Sequence, residues 1–471
     1  MGIAIPDRVI YLVSFLIPLI VRSVPELLSP VPIGFDTVIY LVQAKSLSTA
    51  PVLLPFFSKL LSILYSFGLD LIVLMKILPP IFFATTIFLA CLYARKKLGW
   101  SKSQTFLLAI IMAFSAAMLR MSWDLHRQSL ATILLLVYLY IDPWKNLTIK
   151  KAVLSFLLIA LIGLLHELVL VTVTVINLYH ALLAFKMNLF KTGASFAVLA
   201  ITPIIGYEAG YYISYPKFVS PNEAFIDLLG SWAGDYTSIV SNAVGVLVAT
   251  FWYALPLAPL GFFHDRYLTP WMAAMLLGYL TQILIPFSAV RLAERWMLYM
   301  AIPLMFYTTN AISKLANPKR FRVAVTLFTL AIICINGFSM LGLVQPFNLP
   351  SNLYIGFIPS TMVFSTAKPE HVVTIISFSR IINDVVHKNA CIVTHDPWFS
   401  YWVMYLTNAK VHSFSGYSPD PAISKSVNEG CKEIYVIWFK GQLKEGEMLL
   451  EGNQIALYRI DFTTALQKLV G

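Results

Sequence analysis

The sequence predicts a polytopic α-helical membrane protein that ends in a small α/β domain. Two observations carry the membrane part. Hydrophobic residues make up 58% of the 471-residue chain and charged residues 12%, against about 45–50% and about 25% in soluble domains. The apolar residues also gather in runs of roughly 17 to 25, the length that crosses a hydrocarbon core. A third observation carries the tail, where short β-type runs alternate with helical ones.

The first run, "MGIAIPDRVIYLVSFLIPLIV", has no small-residue cleavage site after it and reads as a retained span. The spans fall near 8–25, 69–94, 103–120, 127–142, 151–166, 168–185, 193–214, 241–262, 270–290, 296–313 and 321–344, about eleven in all by the length criterion. The fifth and sixth are separated only by His166-Glu167 in "LIGLLHELVLV". The motif "KILPP" places Lys76 and two prolines inside the second span, and a break is expected there.

The net charge of +11 does not point to nucleic acid. The basic residues sit in short clusters between spans: "ARKKLGWSK", "DPWKNLTIKK", "FKMNLFK", "HDR" and "SKLANPKRFR". These occupy alternate loops, which the positive-inside rule assigns to the cytoplasm. An odd number of spans then puts residues 346–471 outside. The expected domains are 1–345, a multi-span membrane domain with a long first outer loop at 25–68, and 346–471, an extracytoplasmic α/β domain. The stretch "PVLLPFFSKLLSILYSFG" in the first loop suits a helix lying at the membrane surface. A second outer loop covers "YYISYPKFVSPNEAFIDLLGSWAGDYTS".

In the tail, "NACIVTH", "AKVHSF", "KEIYVIWF" and "NQIALYRI" read as strands. "PEHVVTIISFSRIINDVV", "PWFSYWVMYLT" and "PAISKSVNEG" read as helices. No glycine-rich phosphate loop is present, so no catalysis is assigned to the tail. Of the four cysteines, Cys91 and Cys334 lie in spans. Cys391 begins one strand and Cys431 precedes another, so parallel neighbours would bring them to disulfide distance; two small buried thiols are the alternative. No Cys/His cluster is evident, which argues against structural zinc.

Sorting the polar residues by side gathers a set on the outer face. It comprises Asp36 in "GFDTVIY"; Arg120, Trp123, Asp124, His126 and Arg127 in "RMSWDLHRQS"; His166 and Glu167; Glu208; and Arg291, Glu294 and Arg295 in "VRLAERW". Ionisable residues at one membrane depth form a candidate site. Each also has a simpler reading. Asp36 suits a helix N-cap, Arg127 and Arg295 suit anchoring at span ends, and Trp123 suits an interfacial belt. His166 and Glu167 suit a turn, and Glu294 suits a pair with arginine. Taken together, one acid can serve as a general base, and arginines with histidines can clamp a phosphate.

With that chemistry, the chain resembles the GT-C superfamily of polyprenyl-phosphate-dependent glycosyltransferases, among them protein O-mannosyltransferases and lipid A aminoarabinose transferases. The matching pieces are "GFDTVIY", "WDLHRQSL", the "HEL" turn and "RLAERWMLYMAIPL". The resemblance implies a membrane enzyme of the cell envelope that takes a sugar from a polyprenyl or dolichyl phosphate. Its partners would be that lipid donor, a protein, glycan or lipid acceptor, and the bilayer. Asp36 would be catalytic. Arg127, Arg295, His126, His166 and Arg291 would hold the donor phosphate, supported by Tyr40, Asp124, Glu167 and Glu294. Asp36 is followed by Thr37 where mannosyltransferases commonly show a second acid, and no "WWDxG" run occurs. No cofactor is implied, and a divalent metal remains open.

Two other classes fit the composition. A transporter or flippase for a lipid-linked sugar would show repeats and midplane polar groups. No repeat is detectable, and most polar residues lie at the outer face. A non-enzymatic scaffold that displays the tail would leave the recurrent outer charges unexplained.

The topology yields a first prediction. Cysteines placed at Asn146 and Asn222 should react with an impermeant maleimide from opposite sides of sealed vesicles. Labelling of both from one side would dissolve the shared outer face.

Overall fold

The computed structural model describes residues 6–34, 36–47, 55–144, 148–214, 229–231, 236–284, 288–290, 293–316, 321–341, 343, 369–385, 390–395, 399–407, 409–414, 418–443 and 446–460. Arg291, Asn146, Asn222 and most of the second outer loop lie outside them. The chain divides into two compact units. One holds 1–25, 52–57 and 77–362, the other 26–51, 58–76 and 363–471.

The first unit is helical. Its elements are α1 (Asp7–Leu28, shared with the second unit), α4 (Leu71–Lys96, likewise shared), α5 (Lys102–Ala113), α6 (Ala116–Asp124), α7 (His126–Ile141), α8 (Ile149–Leu165), α9 (Glu167–Lys186) and α10 (Phe190–Ser214). After these come α11 (Tyr236–Phe251), the short α12 (Ala258–Gly261), α13 (Leu268–Leu284), α14 (Ala293–Tyr299), α15 (Ala301–Ala316) and α16 (Arg322–Met340). The first-loop helices are α2 (Thr37–Ser46), in the second unit, and α3 (Phe56–Ser66), divided between the two units.

Each expected span contains helix, but the one expected at 270–290 is helical only to Leu284, and residues 288–290 are strand. Among the described residues, four helices are long and apolar enough to cross a membrane, and a fifth span results if α5 and α6 are counted together. Those two correct the expected unbroken span at 103–120, because they meet at a 57° bend. The bend follows from local chemistry: the Ser115 side chain accepts the Met118 amide and starts a new helix. The expected break at "KILPP" does not occur, since α4 runs through Pro79 and Pro80. Missing proline donors are tolerated in a membrane helix when neighbours take over the freed carbonyls. The expected spans 241–262 and 296–313 are each interrupted, by the turn before α12 and at Met300.

Small residues and matched polar pairs set the helix packing. A Cβ on Gly261 would collide with the Tyr307 carbonyl and lie 2.6 Å from the Ala311 amide nitrogen, so α12 touches the α15 backbone. Asn310 Nδ2 secures that contact by donating to the Gly261 carbonyl at 2.8 Å. Gly278 of α13 similarly admits the Trp296 ring. Such close backbone approach is how helices gain dispersion contact where no water drives them together. Inside the bundle, Tyr138 donates to Asn177 Oδ1 and Tyr299 meets Thr132 Oγ1 at 3.2 Å, so buried polar groups find partners.

The second unit contains the tail fold. Its sheet comprises β3 (Ala390–His395), β4 (Lys410–Phe414), β5 (Glu433–Phe439), β6 (Glu447–Glu451) and β7 (Ile455–Ile460) in the order β4-β3-β5-β7-β6; β1 (Leu229–Ser231) and β2 (Ser288–Val290) form a separate two-stranded pair in the first unit. β3 is parallel to β4 and β5, while β5–β7 and β6–β7 are antiparallel. Helices α17 (Pro369–Val385), α18 (Ser400–Leu406) and α19 (Asp420–Asn428) connect and cover the strands. Four strands and all three helices match the sequence reading. β6 was not expected: it is a largely exposed edge strand whose "EMLLE" lacks the apolar alternation that marks a half-buried strand.

Within this unit the first loop packs on the tail. α2 lies against α18, and Lys45 Nζ donates to the Tyr405 carbonyl at 2.8 Å. Gln43 and Ser58 join α2 to α3 through a 2.6 Å hydrogen bond, and Lys76 Nζ donates to the Ser29 carbonyl at 2.7 Å.

Cys391 and Cys431 form a disulfide, with Cα atoms 5.8 Å apart. β3 and β5 are parallel neighbours with Cys391 opposite Ile434, and Cys431, two residues before β5, thereby comes within reach of Cys391. His412 lies close to both sulfurs, a Cys/His neighbourhood that the linear sequence conceals. Non-reducing peptide mapping should join the Cys391 and Cys431 peptides and leave Cys91 and Cys334 as thiols. With the two cysteines 40 residues apart, replacing both with serine should destabilise the tail by roughly 4 kcal/mol on the chain-entropy model. Chemical denaturation followed by tail proteolysis would read this loss.

Candidate active site

The first unit brings several of the residues expected at the outer face to one set of helix ends. α6 ends at Asp124 and α7 starts at His126, with only Leu125 between them. α8 and α9 meet at His166, whose extended backbone (φ −159°, ψ 124°) breaks the helix. α14 begins at Ala293, which puts Glu294 and Arg295 in its first turn.

Arg127 joins two of these ends. Its Nε donates to the Leu165 carbonyl at 2.9 Å, and Nη2 lies 3.7 Å from Glu167 Oε2. The first contact satisfies a carbonyl at the C-terminal end of α8, where helices leave such groups without internal partners. Glu167 sits in the first turn of α9, where the helix dipole favours an acid. His166 is buried, its Nδ1 makes no hydrogen bond, and its backbone N–H donates to Ile162 at 2.8 Å. Arg127 and Arg295 both act electrostatically on His166 and Glu167. Arg127, His166, Glu167 and Arg295 therefore share one neighbourhood. Arg295 makes no hydrogen bond among the described residues, and neither does Glu294 form an ion pair among them.

The other members of the set make different contacts. Arg120 pairs with Asp124 one turn along α6, and its guanidinium lies 4.7 Å from the Trp123 ring centroid. Trp123 and Asp124 are buried, so Trp123 is not an interfacial-belt residue. His126 is fully buried, with its ring centroid 6.5 Å from that of Phe57. Of Glu208, only its backbone position in α10 is described. In the second unit, Asp36 occupies the N-cap position of α2, but its side chain makes no capping hydrogen bond. Its carbonyl accepts the Tyr40 amide at 3.2 Å, and Tyr40 is buried.

One residue was passed over in the sequence. Arg22, inside the first apolar run, is fully buried in α1. It donates through Nε to Ser122 Oγ at 3.0 Å and through Nη2 to the Ser122 carbonyl at 3.1 Å, next to the α6–α7 junction. A lone arginine within a span is costly unless it has partners, and that was the available signal.

The local geometry thus supplies two guanidinium groups near a histidine and an acid, where anchored helix ends can orient a charged group. No family model and no curated protein matches the sequence. Among solved structures, the chain is similar to ArnT from Cupriavidus metallidurans bound to undecaprenyl phosphate, with a TM-score of 0.59 and 9% identity over 95% of this chain and 97% of that one. It is also similar to the arabinofuranosyltransferase AftD from mycobacteria, with a TM-score of 0.52 and 14% identity over 98% of this chain. The match spans 40% of the AftD chain. The chain thus shares the fold of ArnT and, over part of the longer AftD chain, of AftD.

Proposed function

We propose that the chain is a membrane glycosyltransferase that moves a sugar from a polyprenyl or dolichyl phosphate to an acceptor hydroxyl or another nucleophile at the outer face. The neighbourhood of Arg127, Arg295, His166 and Glu167, in a chain with this fold, carries the reading. Arg127 and Arg295 hold the donor phosphate, and His126, His166 and Arg291 belong to the same set. Asp36 is the general base, and Tyr40, Asp124, Glu167 and Glu294 support the site. Residues 346–471 form the extracytoplasmic domain, after about eleven spans of bilayer-crossing length.

In this mechanism Asp36 takes the proton of the acceptor hydroxyl as its oxygen attacks the anomeric carbon. The bond from that carbon to the phosphate oxygen breaks, and the electron pair leaves with the polyprenyl phosphate. The displacement inverts the anomeric centre. Guanidinium groups on the phosphate stabilise the charge that develops there, the usual means of catalysis for an anionic leaving group. The lipid chain lies among apolar helices, and the acceptor is a protein, glycan or lipid.

Membranes supplied with radiolabelled polyprenyl-phosphate sugars, followed by separate extraction of protein and lipid, test the activity directly. Asp36→Asn should leave a folded, donor-binding protein and lower the transfer rate by at least about a hundredfold, the lower end for general-base catalysis. Full activity would end the candidacy of Asp36. Since its side chain makes no capping hydrogen bond, the amide should not cost the helix a cap.

Arg295→Ala should weaken donor use by on the order of 1.5–3 kcal/mol, the range for hydrogen bonds to charged groups. Arg127→Ala should weaken it comparably and also lower the thermal midpoint, because the Leu165 carbonyl loses its partner. Unchanged donor affinity and turnover in both variants would reduce these arginines to anchors.

A further inference from the structure

At the opposite end of α7 lies a second charged assembly that the transfer reaction does not use. The helix has 16 residues, so at 1.5 Å per residue its two ends are about 24 Å apart. Three segments meet there: the end of α4 with Lys96 and Lys97, the end of α7 with Tyr140 and Asp142, and the turn before α13 with Asp265, Arg266 and Tyr267. They enclose a cavity of about 300 Å³. These segments belong to "ARKKLGWSK", "DPWKNLTIKK" and "HDR", the basic loops that the charge rule assigns to the cytoplasm.

The acids of this cavity are largely committed to structure. Asp265 Oδ1 accepts the amides of Tyr267 and Leu268 at 3.0 and 2.9 Å, which starts α13, and Tyr93 donates to the same carboxylate at 3.0 and 3.1 Å. Asp142 Oδ1 accepts the Tyr267 hydroxyl at 2.6 Å. Only Asp142 Oδ2 faces the cations, with Lys97 Nζ and Arg266 Nη2 each 3.9 Å away, beyond hydrogen-bond reach. Lys97 lies 5.3 Å from the Tyr140 ring centroid, and Lys96 makes no ion pair among the described residues. Three cations thus line the cavity with N–H donors that make no hydrogen bond among the described residues, against one half-available carboxylate. Behind Tyr267, fully buried His180 packs edge-on at 4.8 Å, and neither ring nitrogen makes a hydrogen bond of ordinary geometry.

A polar cavity of this size, with surplus cationic donors and aromatic walls, fits a phosphate-centred anion with a small alcohol attached. We propose that this cavity binds a phosphate ester through Lys96, Lys97 and Arg266, at a site separate from the one that holds the sugar donor. The ester could belong to the headgroup of an anionic phospholipid in the adjoining leaflet or to a soluble metabolite, and the recognition chemistry is the same. The proposal does not depend on the transferase reading.

Full-length protein in nanodiscs of phosphatidylcholine with phosphatidylglycerol, examined by native mass spectrometry, reads the lipid source. Glycerol 3-phosphate, added while the thermal midpoint is followed, reads the soluble source. Wild type should retain phosphatidylglycerol in preference to phosphatidylcholine, and the double variant Lys97→Gln/Arg266→Gln should lose at least tenfold of that retention. Arg266→Lys, which keeps the charge, should preserve it, as should Lys186→Gln, which removes a basic residue that does not line the cavity. A midpoint raised by glycerol 3-phosphate in wild type but not in the double variant, without selective lipid retention, would support the soluble source. Wild type and double variant alike in both measurements would overturn the site, as would equal lipid loss in Lys186→Gln, which would mean that only diffuse surface charge is at work. If the double variant fails to elute as a monodisperse species, Lys96→Gln/Lys97→Gln takes its place with the same expected and overturning results.

Discussion

The contact from Arg127 to the Leu165 carbonyl governs the candidate active site. A helix that ends inside an apolar bundle leaves carbonyls without partners, and each costs free energy unless something donates to it. Here the donor comes from the start of another helix, 38 residues away in sequence. One interaction therefore closes the end of α8, fixes the α8–α9 corner and holds a guanidinium next to Glu167. The same contact also explains why an anchoring role and a ligand-binding role for Arg127 are compatible. Nε is committed to the backbone, while Nη2 is only within 3.7 Å of a carboxylate.

Arg22 extends that logic to the neighbouring junction. Its two hydrogen bonds to Ser122 tie α1 to the last turn of α6, close to where the chain turns into α7. Charges in an apolar bundle are retained where they meet backbone or hydroxyl partners, and such pairs select one arrangement of helices over others. Glycines do the complementary work. Gly261 and Gly278 remove side chains where another helix must approach, so small residues and polar ties together define the packing.

The second unit uses different means. Its parallel β3–β5 core is buried on both faces, as expected for strands covered by helices. The disulfide joins the edge of that core to the segment leading into β5. α2, which carries Asp36 at its start, is held against α18 by packing and by the Lys45 bond to Tyr405. α2 is thus tied to a helix more than 300 residues later in the chain, since Lys45 and Tyr405 are 360 residues apart.

By itself the sequence determined the elements. Apolar run length set the helices, His166-Glu167 marked the break between α8 and α9, short β-type runs marked four of the five tail strands, and the positions of Cys391 and Cys431 relative to their strands anticipated the disulfide. All of these depend on local preference or on neighbours along the chain. Only the tertiary structure decided which charges meet. It placed Arg127 with Glu167, buried His126 beside Phe57, set Arg22 on Ser122, and gathered three basic loops around one cavity. The reason is geometric. Each residue advances a helix by about 100°, so the side chains that face one another depend on helix rotation. A helix that is apolar all round carries no stripe from which that rotation could be read. Long-range partners in such a bundle are therefore set by close packing and by polar groups finding one another.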